Sequence, residues 1–309
     1  MLAVLAPGQG SQSPGMLTPW LELDGAEAKL RHWSEAAGLD LVRLGTTAEA
    51  EEITDTSVTQ PLVVAASLLA FDELAARYPI AEDVPVAGHS VGELAAAAVA
   101  GSLSAADAVR LAGIRGSQMA AACATEPTGM SAVLGGDPEQ VHQRLGELGL
   151  DAANVNGAGQ VVAAGPISAL AELTSEPPER AKVRSLQVAG AFHTRFMAPA
   201  EETLREYAKN IEVADPKRPL LSNADGELVD TGGELLERLI AQVTKPVRWD
   251  ACMAKLGELG VTATVELTPA GALTGLVKRE LKGTATLALK KPDDLDKVAG
   301  LLADQGGAA

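Results

Sequence analysis

Residues 84–98 read Val-Pro-Val-Ala-Gly-His-Ser-Val-Gly-Glu-Leu-Ala-Ala-Ala-Ala, a short β-branched run, a serine with glycines two places on either side, and an alanine-rich helical pattern. The reading is a strand, a sharp turn and a helix. Gly88 and Gly92 permit a tight backbone, the helix N-terminus aims its N–H groups at developing negative charge, and the turn holds the Ser90 hydroxyl away from the sheet. The same pattern also suits a plain strand-to-helix turn with Ser90 as a helix cap. A nucleophile therefore needs partners elsewhere in the chain.

Working outward, the first 125 residues alternate strand and helix. Strand LAVLA (2–6) and a Gly/Pro loop precede helical patterns at 25–38 and 59–78; strand 84–88 is followed by helices at 93–101 and 104–124. Helical crossovers between strands imply a parallel sheet. From about Pro127 to Gly190 the rhythm shortens to strand, helix, two strands joined by a turn, helix, strand. Asp137 before Pro138 marks one helix start, and Pro166 at the first helical position marks the other. The order βαββαβ is that of a split βαβ, ferredoxin-like unit. The α/β pattern then resumes, with strands expected at 219–223, 262–267 and 285–289. A small domain inserted into a large one leaves a cleft between them as the default binding site.

The 309 residues, 47% hydrophobic, bury a large core. Forty-one acids against 25 bases give a charge of −16, which argues against nucleic acid or an anionic membrane as partner. Cys123 and Cys252 show neither disulfide nor zinc spacing and read as small core residues in a reducing compartment. The N-terminus lacks a signal-peptide pattern, and the apolar run LVVAASLLAF (62–71) is too short to span a bilayer, so the expectation is a cytoplasmic protein.

Of the four histidines, His32 and His142 lie in amphipathic helices and His89 reads as a packing residue beside the elbow. His193, where the small unit rejoins the large one, is the candidate base; a structural strand-end histidine is the alternative. The loop Pro7-Gly8-Gln9-Gly10-Ser11-Gln12 offers backbone N–H groups to the same site. As a dinucleotide fingerprint it lacks the third glycine. Arg115 shares a helical stripe with Leu111, Ala112 and Met119, whereas Arg110 is offset by about 140° and sits near Asp107. A guanidinium on an apolar stripe calls for an anion, and a carboxylate matches its fork. An ion pair within the fold, or a snorkelling side chain, would also account for it.

Together PGQGSQ (7–12), GHSVGE (88–93), Arg115-Gly116-x-x-Met119, NVNGAGQVVAAG (154–165), GAFHT (190–194) and Gln242-Val243-x-x-Pro246-Val247-x-Trp249 resemble malonyl-CoA:acyl carrier protein transacylases of type II fatty acid and polyketide synthesis. The resemblance covers nearly the whole chain. It implies an α/β-hydrolase-like large domain (1–126 and 194–309) with an inserted ferredoxin-like small domain (127–193). It assigns Ser90 and His193 as catalytic, the N–H groups of Gln9 and Val91 as oxyanion hole, and Arg115, Met119 and Phe192 to substrate binding. The carbonyl of Gln242 would orient the histidine. Malonyl-CoA and acyl carrier protein would be the partners, with no cofactor beyond the coenzyme A thioester substrate, no metal and a monomeric enzyme. Many members carry serine where this chain has Phe192; GAFH is similar to malonyl-selective polyketide synthase domains. A serine esterase passing its acyl group to water, or a non-enzymatic docking module, are the competing functions.

Overall fold

The computed structural model describes residues 1–306, so the last three residues of the segment expected at 194–309 lie outside the described residues. In chain order the elements run β1 (Leu2–Ala6), α1 (Ala26–Ala37), α2 (Leu41–Thr46), α3 (Ala50–Thr54), α4 (Thr56–Arg77), β2 (Val86–Gly88), α5 (Gly92–Val99) and α6 (Ala105–Cys123). Next come β3 (Thr128–Gly135), α7 (Pro138–Glu147), β4 (Asp151–Gly157), β5 (Gln160–Pro166), α8 (Ile167–Ser175) and β6 (Ala181–Ser185). The chain closes with α9 (Ala198–Ala208), α10 (Gly232–Ala241), β7 (Val247–Arg248), α11 (Trp249–Glu258), β8 (Ala263–Glu266), α12 (Ala272–Glu280), β9 (Ala285–Ala288) and α13 (Val298–Gly306).

This is a mixed α/β fold with two sheets. The first, ordered β2-β1-β8-β9, is wholly parallel. Helices cover both its faces, which explains why β1 is apolar at every position. Leu2, Val4 and Ala6 point into the main core with α4, α5 and α6, while Ala3 and Leu5 point into a second core against Trp249, Leu256 and Leu273. The second sheet is ordered β6-β3-β5-β4-β7. Its first four strands are antiparallel and pack on α7 and α8 through Val141, Leu145, Leu170 and Leu173. The two-residue strand β7 adds a parallel edge beside β4, although it comes from the later segment.

Local capping agrees with the sequence. The Asp137 carboxylate accepts from the N–H groups of Glu139 and Gln140, and the Ser104 hydroxyl accepts from Asp107 N–H at the start of α6. Pro166 is the residue before α8 rather than its first helical residue. The strand expected at 219–223 shrinks to single bridges at Leu220 and Leu221, because the chain turns back at once: Ser222 N–H donates to Glu227 O, and Gly226 N–H to Ser222 O. The run 62–71 belongs to α4, whose 22 residues are by length and composition enough to cross a bilayer, against the expectation from the run alone. Here α4 is instead a core helix packed on α1, α5 and α6.

Candidate active site

β2 and α5 present Ser90. Parallel pairing of β1 and β2 brings Ala6 beside Gly88, so the turn must fit against the end of β1. A Cβ on Gly88 would lie 2.2 Å from the carbonyl group of Gly92, and one on Gly92 would lie 2.3 Å from the Ala6 oxygen. Glycine is therefore required at both places. Between them Ser90 takes the left-handed conformation, φ 54°, which turns its side chain off the strand and toward the cavity.

Ser90 Oγ is 2.8 Å from His193 Nε2. The other ring nitrogen of His193, Nδ1, is 2.8 Å from the carbonyl oxygen of Gln242. A carbonyl only accepts, so Nδ1 carries the hydrogen and Nε2 offers its lone pair to the serine hydroxyl. His193 is buried, with φ 61°, and Thr194 beside it caps the following turn by accepting from Phe196 N–H. Burial, and then the positive charge of Arg115, pull the imidazole down to about 3, which keeps it neutral, with a free lone pair, but makes it a weak base.

Arg115 is 3% exposed. Its Nη1 donates to Gln60 Oε1 at 2.6 Å and its Nη2 to Gln242 Oε1 at 2.8 Å, with Ser90 Oγ 3.3 Å from Nη2. Among the described residues no carboxylate forms an ion pair with it, whereas Arg110 pairs with Asp107 as its helical position implied. Burial lowers the guanidinium to about 10, opposed by the more distant charge of Glu93. Arg115 is therefore a buried cation held by the neutral amides of Gln60 and Gln242 beside a serine hydroxyl.

These groups border one cavity of about 350 Å³ between the two sheets. Gln9, Ser90, Arg115, Met119, Phe192 and His193 all line it, and Met130, Val162, Leu186 and Val188 supply much of its apolar wall. Val91 is buried at the start of α5. Neither its N–H nor that of Gln9 donates to a protein acceptor among the described residues. His89 lines the same cavity as a packing group: Nε2 is 2.9 Å from Asn156 Oδ1 and the ring meets Trp249 edge-on. His32 and His142 are exposed.

Three neighbours of the site escaped the sequence reading. Gln60, Glu93 and Asn223 are buried around Ser90 and Arg115, and the Gln242 side chain joins them in addition to its carbonyl. Glu93 carried a signal, a lone acid in an otherwise apolar helix; the amides carried none.

A family model described as an acyl transferase domain matches residues 4–306. The malonyl CoA-acyl carrier protein transacylase of Mycobacterium tuberculosis is 59% identical over 302 residues, covering 97% of this chain and 100% of the relative. The Bacillus subtilis protein of the same name is 33% identical, with 100% and 99% covered. A crystal structure of the M. tuberculosis protein superposes with a TM-score of 0.94 over 97% of this chain and 99% of that one, at 59% identity. A malonyl-transacylase solved in complex with a holo type II PKS acyl-carrier protein superposes with a TM-score of 0.90 at 29% identity, covering 96% and 98%.

Proposed function

The chain belongs to the acyl transferase domain family and moves malonyl groups from malonyl-CoA to acyl carrier protein, and we propose that Ser90 and His193 perform this transfer. His193 Nε2 takes the Ser90 proton as Oγ attacks the thioester carbonyl. The N–H groups of Gln9 and Val91 hold the oxyanion, and the protonated Nε2 gives its proton to the departing coenzyme A sulfur. A malonyl-serine ester remains. The carrier's phosphopantetheine thiol then loses its proton to the same nitrogen and attacks the ester; Ser90 leaves as the alcohol, reprotonated by His193. The carbonyl of Gln242 keeps the required tautomer in both halves, so no carboxylate is needed behind the histidine.

The observation that carries this reading is Arg115, buried without an ion pair among the described residues and 3.3 Å from Ser90 Oγ. The free malonyl carboxylate takes the open side of its guanidinium, which fixes the thioester over the serine. That carboxylate also offsets the charge that weakens His193, so the base strengthens when malonyl is seated and not when acetyl is. The test is intact-mass measurement. Mixing with malonyl-CoA is expected to add one malonyl group, and adding holo acyl carrier protein to remove it onto the carrier. An adduct lost equally fast without the carrier would make the enzyme a hydrolase.

Phe192 is buried and lines the same cavity as Ser90, Arg115 and Met119. We read its ring as narrowing the pocket beside the acyl α-carbon, so methylmalonyl-CoA is expected to load poorly, and Phe192→Ser to improve it by ~1–3 kcal/mol, the worth of one methyl in a fitted pocket. Loading rates for the two donors check this; equal rates in the unaltered protein would count against it.

The segments 1–126 and 194–309 are read as an α/β-hydrolase-like unit and 127–193 as a ferredoxin-like insert, a division supported by the strand order β6-β3-β5-β4. Amide exchange in which both units lose protection together would argue against two separate domains.

A further inference from the structure

We infer that Glu93 is a positioning residue: its carboxylate fixes the orientation of the Gln242 amide, and through it the Arg115 guanidinium that selects a carboxylated acyl group. The inference rests on the function proposed above and concerns the same site. Glu93 lies under the elbow at the start of α5, 4% exposed and without an ion pair among the described residues. Both its oxygens are engaged. Oε1 accepts from the backbone N–H of Asn223 at 2.6 Å, and Oε2 accepts from Gln242 Nε2.

Gln242 is the pivot because an amide has one accepting and one donating end. Its Nε2 faces acceptors only: Glu93 Oε2, the Ser90 carbonyl oxygen at 3.1 Å and Asn223 Oδ1 at 3.3 Å. That leaves Oε1 pointing at Arg115 Nη2, 2.8 Å away. The remaining groups of the cluster are committed. Asn223 Oδ1 accepts from Ser90 N–H at 2.8 Å, and its Nδ2 donates to Gly88 O at 2.7 Å. The Glu93 carboxylate, the one charged acceptor of the three on Nε2, thus helps hold the amide with its own acceptor presented to the arginine.

Removing that acceptor inverts the order. In Glu93→Gln the oxygen must stay on the Asn223 N–H, which turns the new NH₂ toward Gln242. Either two NH₂ groups meet there, or the Gln242 amide flips and offers NH₂ to the guanidinium. The first loosens the hold of the Gln242 amide on Arg115, and the second sets a donor against Arg115 Nη2; neither removes the Ser90 hydroxyl or the His193 ring. Protonation acts in the same direction: with Oε1 accepting from Asn223 N–H, the proton sits on Oε2 and replaces the charged acceptor facing Gln242 Nε2 by a neutral hydroxyl, a weaker acceptor. Burial raises the Glu93 carboxyl to about 7, opposed by Asn223 N–H, the Gln242 amide and the charges of Arg115 and Arg238. The facing titratable groups are Arg115 on α6, Arg238 near α10's C-terminus and Cys252 on α11. Arg115 at about 10, Arg238 raised by its pairing with Asp225 and Cys252 raised by burial keep their protonation between pH 6 and 8.

The experiment measures loading of Ser90 from malonyl-CoA and from acetyl-CoA, by intact mass, between pH 6 and 8. In the unaltered protein the malonyl-to-acetyl ratio is expected to fall as pH drops through about 7. Glu93→Gln is expected to lower the ratio tenfold or more at pH 8, to keep acetyl loading within a few-fold, and to flatten the pH dependence. A ratio unchanged by the substitution, or both donors slowed alike, would overturn the inference and leave Glu93 a merely structural acid. If the variant does not fold, the pH profile of the unaltered protein decides, a flat ratio overturning the inference. Absence of any malonyl adduct on the unaltered protein is a separate outcome that overturns the underlying function as well.

Discussion

Ser90→Ala abolishes covalent loading while leaving the fold in place. Ser90 Oγ is the hydroxyl that faces the lone pair of His193 Nε2 at 2.8 Å, and no second hydroxyl among the described residues makes a hydrogen bond to that nitrogen. Ping-pong transfer requires an ester, so the whole reaction goes with the oxygen. The fold survives because the methyl of alanine occupies the same direction in a half-buried turn already held at φ 54° by its glycines and by the Asn223 side chain on Ser90 N–H. Intact mass after malonyl-CoA, with circular dichroism for folding, tests both halves. A malonyl adduct on the folded variant would remove Ser90 from its role.

Arg115→Ala is expected to cut malonyl loading by roughly 2–5 kcal/mol, or about 30- to several-thousand-fold, by leaving the malonyl carboxylate desolvated without a partner. Acetyl-CoA should load as well as before or faster. It brings no carboxylate, and the variant relieves His193 of the positive charge that is the second cause of its weak basicity. The substitution also strips donors from Gln60 and Gln242, whose Oε1 atoms the guanidinium holds at 2.6 and 2.8 Å, so some stability is lost. For that reason the readout is the malonyl-to-acetyl ratio, which a general loss of stability does not move. An unchanged ratio would return Arg115 to a structural role.

The two arginine-linked predictions separate contact from support. Arg115→Ala removes the group that meets the carboxylate, whereas Glu93→Gln leaves that group present but turned. The first should lose selectivity at every pH. The second should resemble the unaltered protein at low pH, where Glu93 is protonated.

By itself the sequence determined what depends on neighbours within a dozen or so residues. The elbow was legible because strand, Gly-x-Ser-x-Gly and helix form one continuous segment, and the close approaches at Gly88 and Gly92 follow from that local path. The parallel first sheet and the order of the small unit followed from periodicity, since a strand buried on both faces reads as unbroken apolar residues. Arg115 stood out because helical spacing alone set it among Leu111, Ala112 and Met119. Only the tertiary structure decided the rest. Ser90 and His193 are 103 residues apart, and Arg115 and Gln242 are 127 apart, so no spacing rule links them. Gln60, Asn223 and the Gln242 side chain were illegible because a neutral amide has no periodic signature; its importance lies in which end it presents, and that is fixed by donors and acceptors brought in from distant elements. The strand at 219–223 failed for the related reason that a ladder needs a partner, and the turn at 222–227 ends the pairing after single bridges. Backbone conformation is a local preference, whereas the direction of a buried hydrogen bond is a property of the whole packed set.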